Sequence, residues 1–444
     1  MRDKELLLFR QMKQEDILHN VSFLTSNVHH NSYTQADLAN IYFETIHRLL
    51  SFGCAHKVKG NLWHIYLTYL LVCHENPYSL FFENQPVLAQ NQDKHLQSIA
   101  FHDFEIFREL FSFAFVELEK ALGIESSMYA FLVDEIEVTK VNDIAANDTV
   151  TKSSEALEVL ASSLAKAGTT AEFAQLLTTF YSKFGIGDFA FFKAFRIDDS
   201  KQSTLQLQPI LEVAENTLED LVGYHIQKEK LIANTDAFIK GNRANNCLLY
   251  GDAGTGKSSS IKGILNRYYD KGLRIIELSK HQFKQLPLLI ELIRTRNYRF
   301  IIYMDDLSFE EFEIEYKYLK AVIEGGIENR PDNVLLYATS NRRHLIRESF
   351  ADRSNDFREK HMNDTVQEKL SLVARFGITI YFGAPDKKEY EDIVLELART
   401  HQLTLPEEEL LLLAHRWEIN HGGRSGRAAT QFIDDLVGKH TRHN

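Results

Sequence analysis

Two hydrophobic rhythms divide the chain. Over residues 1 to about 145, apolar and aromatic positions return every three or four places. Phe101–Leu122, FHDFEIFRELFSFAFVELEKAL, is the clearest case and predicts an amphipathic helix with a wide buried face. The aromatic stripe there reads as core packing rather than as a stacking platform. A polar stretch, Thr139–Leu157, predicts a linker or exposed loop, with helical segments following to about Ser182. Gly187–Asp198 predicts a strand or buried connector, and Asp198–Ile210 a surface segment. From about Leu211 short apolar runs alternate with helical patterns. Strands are expected at Cys247–Tyr250, Leu273–Leu278, Arg299–Met304, Val334–Thr339 and Ile378–Phe382, with helices between them. Such alternation predicts an α/β unit with a mainly parallel sheet covered on both faces. After Gly383–Tyr390 the pattern is helical to the end.

Composition narrows this picture. A chain of 444 residues, 44% hydrophobic and 25% charged, is globular and long enough for two or three domains. The net charge of -12 disfavours whole-protein attraction to nucleic acid or to an anionic membrane surface. Three scattered cysteines do not make a disulfide framework, which points to a reducing compartment. The N-terminal stretch has charge on both sides of a short apolar run and does not read as a secretory signal. Ile65–Cys73 is too short to span a bilayer, so a cytoplasmic protein without membrane association is expected. Cys54, His56, His64, Cys73 and His74 match no standard zinc spacing and read as packing and surface residues.

The strongest chemical signal is GDAGTGKS, Gly251–Ser258, between an apolar strand and an amphipathic helix. This is the P-loop pattern, in which glycines let backbone N–H groups wrap phosphates and the next helix adds its positive end. The candidate nucleotide contacts are Gly251, Asp252, Ala253, Gly254, Thr255, Gly256, Lys257, Ser258 and Ser259. Lys257 is expected to reach the β- and γ-phosphates and Ser258 to ligate Mg²⁺. A second acidic element, FIIYMDDLSFE, ends an apolar strand in Asp305 and Asp306. Asp305 is the expected magnesium-side residue. Asp306 stands where a glutamate is common and is one methylene shorter. The water-activating base is therefore left open between Asp306, Glu310 and Glu311.

Four further segments complete a resemblance to the AAA+ P-loop ATPases over roughly Thr217–Gly438: LEDLVGYHIQKEK, LLYATSNRRHL, SLVARFGITIYF and GGRSGRAATQF. The resemblance implies that Leu221–Tyr224, with Val222 and Gly223, pack near the adenine. It implies Asn341 as the polar sensor beside the γ-phosphate and Arg427, in preference to Arg424, as the lid sensor. Arg375 would be the finger reaching a neighbouring subunit's nucleotide. In order and spacing these segments are similar to a bacterial predicted-ATPase family known mainly as a domain of unknown function, which shares the Asp-Asp ending. The expected organisation is a mostly helical N-terminal domain (1–210), an α/β AAA+ core (211–383) and a helical lid (384–444). The implied activity is ATP hydrolysis with Mg²⁺ at the interface of a homo-oligomer, driving remodelling of an unknown protein partner through the N-terminal domain. A nucleic-acid loader or initiator, and a slow nucleotide-dependent switch or scaffold, remain as alternatives. Phe283 sits where a peptide-threading loop would lie, but no glycine follows it.

Overall fold

The computed structural model describes residues 2–30, 32–84, 94–124, 148–200, 205–308, 315–324, 331–341, 373 and 375–440. The chain divides into two compact units, Met1–Phe192 and Lys193–Asn444.

Among the described residues the first unit is helical: α1 (Asp16–Asn27), α2 (Gln35–His56), α3 (Leu62–Cys73), α4 (Pro77–Asn84), α5 (Lys94–Phe111), α6 (Phe115–Ala121), α7 (Asp148–Lys166), α8 (Thr170–Phe184) and the single turn α9 (Asp188–Phe191). Its axis is α3, of which only the terminal Cys73 and the ring of His64 are not fully buried. Trp63, Tyr66, Phe104, Phe107 and Phe173 pack in one core. The run expected to form one helix over Phe101–Leu122 breaks into α5 and α6 at Ser112–Ala114. The Trp63 indole donates to the Leu110 carbonyl (2.9 Å), and both Phe113 and Phe115 turn their edges to the indole ring. A continuous helix could not bring both rings to one partner. The expected linker also needs correction. Its second half lies in α7, whose Leu157, Leu160, Ala161 and Leu164 are buried at helical spacing. Two histidines of the candidate metal run have backbone partners: His64 meets the Phe111 carbonyl at 2.9 Å and His74 the Leu8 carbonyl at 2.8 Å.

The second unit is an α/β P-loop core with a helical lid. Among the described residues its seven strands are β1 (Ala194–Ile197), β2 (Leu207–Pro209), β3 (Cys247–Gly251), β4 (Leu273–Glu277), β5 (Arg299–Met304), β6 (Val334–Ser340) and β7 (Ile378–Phe382). They lie in the order β2-β1-β4-β5-β6-β3-β7, all parallel except the β1–β2 hairpin. The five strands read from the sequence agree to within a residue. The two short ones, placed by sequence on the N-terminal side of residue 210, pair with the sheet. The helices are α10 (His225–Ile239), α11 (Lys257–Tyr268), α12 (Leu286–Ile293), α13 (Glu315–Glu324), and the lid helices α14 (Lys387–Thr400), α15 (Glu407–Asn420) and α16 (Gly426–His440). The lid has its own core around Tyr390, Val394, Ala414 and Phe432. Asp386 and Glu389 form a capping box that starts α14 immediately after the sheet.

β5, β6 and β3 are neighbours, although the chain reaches β4 from β3 through α11 and reaches β7 by passing over β3. Adjacent strands whose connections leave in opposite directions open a crevice beyond their carboxyl ends, where α/β sheets bind ligands. Among the described residues, no helix is long and apolar enough to cross a membrane.

Candidate functional site

A cavity of about 710 Å³ opens at those strand ends, between the phosphate loop, the segment ahead of α10 and the lid. The loop's shape follows from its glycines: Gly254 and Gly256 have φ of 73° and 88°, values a side chain rarely adopts. A Cβ at Gly256 would come within 2.3 Å of Leu221, and one at Gly254 within 3.0 Å of Arg427 Cβ, so both also permit close approach. The first turn of α11 starts at Lys257 and directs its unpaired N–H groups and positive dipole end to the same place.

The Lys257 ammonium is buried and donates to two carbonyls of its own loop, Gly251 at 3.1 Å and Asp252 at 2.5 Å. Burial pushes its pKa down, while Asp252, Asp306 and Asp305 hold the charge in place. Ser258 Oγ donates to Asp305 Oδ1 at 2.9 Å, Thr339 Oγ1 donates to the same oxygen at 2.5 Å, and the Asp306 N–H reaches it at 3.1 Å. Partial burial pushes the Asp305 carboxyl up. The bonds from the Thr339 and Ser258 hydroxyls and the Asp306 N–H, with the Tyr303 hydroxyl close by, outweigh that effect and leave it below the usual carboxylate range. The residue itself remains solvent-exposed and lines the cavity. A serine hydroxyl beside an ionised carboxylate is a hard-oxygen donor set of the kind Mg²⁺ takes, completed by water and phosphate. These residues therefore fit the cation that the loop implies.

Asp306 has φ of 48°, an uncommon conformation for a residue with a side chain. The turn is fixed by its N–H donating to Thr339 Oγ1 (3.0 Å) and by Leu307 N–H donating to the Thr339 carbonyl (2.7 Å). Its carboxylate accepts from the Asn341 amide at 2.9 Å. Thus β6 and the residue that follows it serve both acids, with Thr339 on Asp305 and Asn341 on Asp306. From the sequence, Thr339 is only the last residue of an expected strand. Its role as the anchor of Asp305 depends on the register of β6 against β5, which pairs Met304 with Ala338.

The apolar side of the cavity comes from Leu221, Val222, Ile393 and Leu397, with Tyr224 at its rim. Gly223 turns the chain between Val222 and Tyr224 with φ of 77° but does not itself line the cavity. The Tyr224 hydroxyl donates to the Gly383 carbonyl at 2.8 Å, fixing this segment to the lid's root. Asp252 fixes the phosphate loop to the same root, accepting from the Ala384 N–H at 2.7 Å. Of the two lid arginines, Arg427 lines the cavity at the start of α16, and its N–H donates to the Gly254 carbonyl at 3.2 Å. Arg424 lies 3.8 Å from Glu418 within the lid. Arg375 is half-buried just ahead of β7 and is not among the lining residues. Glu310, Glu311, Arg342 and Arg343 lie outside the described residues. Phe283, at the position considered for peptide threading, is a buried core residue.

The family profile described as "Protein of unknown function (DUF815)" matches residues 190–440. Among solved structures, the chain is similar to the Thermotoga maritima RuvB Holliday junction branch migration motor, with 16% sequence identity and a TM-score of 0.33. That match covers 49% of this chain and 62% of the RuvB chain, so less than two thirds of the relative's length is spanned. A point variant of the same Thermotoga maritima protein matches with 16% identity and a TM-score of 0.34, over 49% and 63% of the two chains. No curated protein matches the chain.

Proposed function

Since the chain belongs to the family described as "Protein of unknown function (DUF815)", and its second unit has the AAA+-type P-loop architecture, we propose that it is an ATPase that binds and hydrolyses ATP with Mg²⁺. The observation that carries this reading is the meeting, around one cavity, of Lys257, Ser258, Asp305, Asp306, Asn341 and Arg427 from four separate segments. In this reading Lys257 leaves its loop carbonyls for the β- and γ-phosphates, and Ser258 and Asp305 hold the magnesium. The cation's contribution is to neutralise charge on the phosphate oxygens. Asp306, held by Asn341, takes the proton from a water whose oxygen bonds to the γ-phosphorus. The bond from that phosphorus to the bridging oxygen breaks, and ADP leaves with inorganic phosphate. Arg427 brings a positive charge to the γ-phosphate when the lid is in place.

We further propose that Arg375 acts on the nucleotide of a neighbouring copy in a homo-oligomer. The helical first unit would then carry the conformational change to a protein partner. The net charge of -12 supports a protein rather than a nucleic acid as that partner. The reading is tested with Lys257→Ala and Asp306→Asn in the full chain. Lys257→Ala should abolish nucleotide binding, and Asp306→Asn should bind ATP and stop turnover. Binding and hydrolysis that survive Lys257→Ala intact would refute it; unchanged turnover in Asp306→Asn would move the base elsewhere.

A further inference from the structure

Tyr303 lies two residues before Asp305 on β5, so both side chains leave the same face of the sheet. On the neighbouring strand Tyr303 pairs with Tyr337, and Thr339 lies two residues farther along that face. The phenol is therefore set directly under the corner where Ser258, Asp305 and Thr339 bring their oxygens together. Its ring is packed in the core and its hydroxyl is shut off from solvent. The hydroxyl lies beside those three side chains but makes a well-formed hydrogen bond to none of them.

A buried hydroxyl without a partner is rare, because it loses its bonds to water and gains nothing in return. An apolar phenylalanine would serve the packing of β5 equally well. Meanwhile three donors already converge on Asp305 Oδ1. The phenol, close to all of them, makes no well-formed bond in that set.

Resting on the ATPase reading, we propose that Tyr303 is a positioning residue of the cation corner. Its hydroxyl gains its missing hydrogen bond within the Ser258–Asp305–Thr339 oxygen set when magnesium and nucleotide bind. Filling the site then relieves an unpaired buried donor, and this relief favours the magnesium-bound state over the empty one. The empty protein carries the strain of the unpaired group; the loaded protein does not.

The test is Tyr303→Phe in the full chain, with ADP carrying a fluorescent label as the probe. Magnesium dependence separates the reading from a purely structural one. In excess EDTA the variant should bind the probe as wild type does. With magnesium, its apparent affinity for the cation–nucleotide pair should fall roughly ten-fold, the scale set by one lost hydrogen bond in a charged site. The empty variant should melt at the wild-type temperature or above it, because the unpaired hydroxyl is gone. A lower melting temperature of the empty variant would mean that the hydroxyl is already partnered, and would overturn the proposal. So would wild-type magnesium dependence in the variant, leaving the ATPase reading standing. Absence of any magnesium-linked probe binding in the wild type would overturn both.

Discussion

Thr339→Val removes the anchor of Asp305 while keeping its shape. Thr339 is 1% exposed, and its hydroxyl both donates to Asp305 Oδ1 at 2.5 Å and accepts from the Asp306 N–H at 3.0 Å. A hydrogen bond to a charged group contributes about 1.5–3 kcal/mol when buried, and less where the charge meets solvent, as Asp305 does. The Asp306 N–H keeps Asp305 Oδ1 as an acceptor at 3.1 Å, so it is not fully orphaned. The expected loss is therefore about 1–2 kcal/mol, or roughly 2–8 °C in the melting of a unit this size. The sign of the pH dependence follows from the folded Asp305 carboxyl lying below its usual range. Its stabilisation is complete above the ordinary carboxyl pKa and is lost as pH falls through the folded value. The deficit of the variant should be full at pH 7 and shrink below about pH 4. Scanning calorimetry of the nucleotide-free full chain reads it, with the second unit's transition identified as the one that ADP shifts. Thr339→Ser, which keeps the hydroxyl, should recover most of the loss. A valine variant as stable as wild type at pH 7, or a deficit unchanged in acid, would refute the reasoning.

Three other outcomes are expected. In Gly251→Ala the new Cβ meets the Phe382 carbonyl oxygen at 2.0 Å, at a φ of 139°. β3 and β7 must separate, at a cost of about 3 kcal/mol or more, and a second-unit transition close to wild type would contradict this. Asp103→Ala leaves the N–H groups of Leu7, Leu8 and Phe9 without their shared carboxylate. Calorimetry should show the first unit destabilised by about 3 kcal/mol and the second unaffected. Arg427→Ala should weaken ATP binding about ten-fold and Arg424→Ala hardly at all, because the second arginine faces Glu418; equal effects in titrations would show that both reach the nucleotide.

Parallel strands buried on both faces read as unbroken apolar runs, which is why β3 to β7 were legible almost to the residue. Their ends were legible too, since Gly251, Asp305 and Asn341 interrupt those runs with residues that chemistry would demand there. The β1–β2 hairpin was legible only in part: Gly187–Asp198, read as a strand or buried connector, holds β1, whereas Asp198–Ile210, read as a surface segment, holds β2. Strands of four and three residues, separated by the polar stretch around Asp198–Gln206, are too short to show a period. Thr339 was seen but not singled out, because its importance lies in cross-strand register rather than in its own neighbours. The break between α5 and α6 was hidden for a similar reason. It is imposed by Trp63, far away in sequence, and the local pattern continues through it. The hydroxyl of Tyr303 was equally invisible, since in an apolar strand a tyrosine reads as one more aromatic.

The hairpin at the far edge of the sheet bears on how the second unit can be separated from the rest. β1 covers β4 through the pairs Ala194–Ile275, Phe195–Ile276 and Arg196–Glu277, and Ile210 N–H closes the hairpin on the Ala194 carbonyl at 2.8 Å. Cutting the chain at residue 211 would strip that cover and leave β4, a strand of buried leucine and isoleucine, with a row of bare backbone groups. Such an edge recruits a second copy by strand addition. Material truncated there would aggregate through a surface the whole protein never exposes, whereas a fragment beginning at Lys193 would keep its own seal.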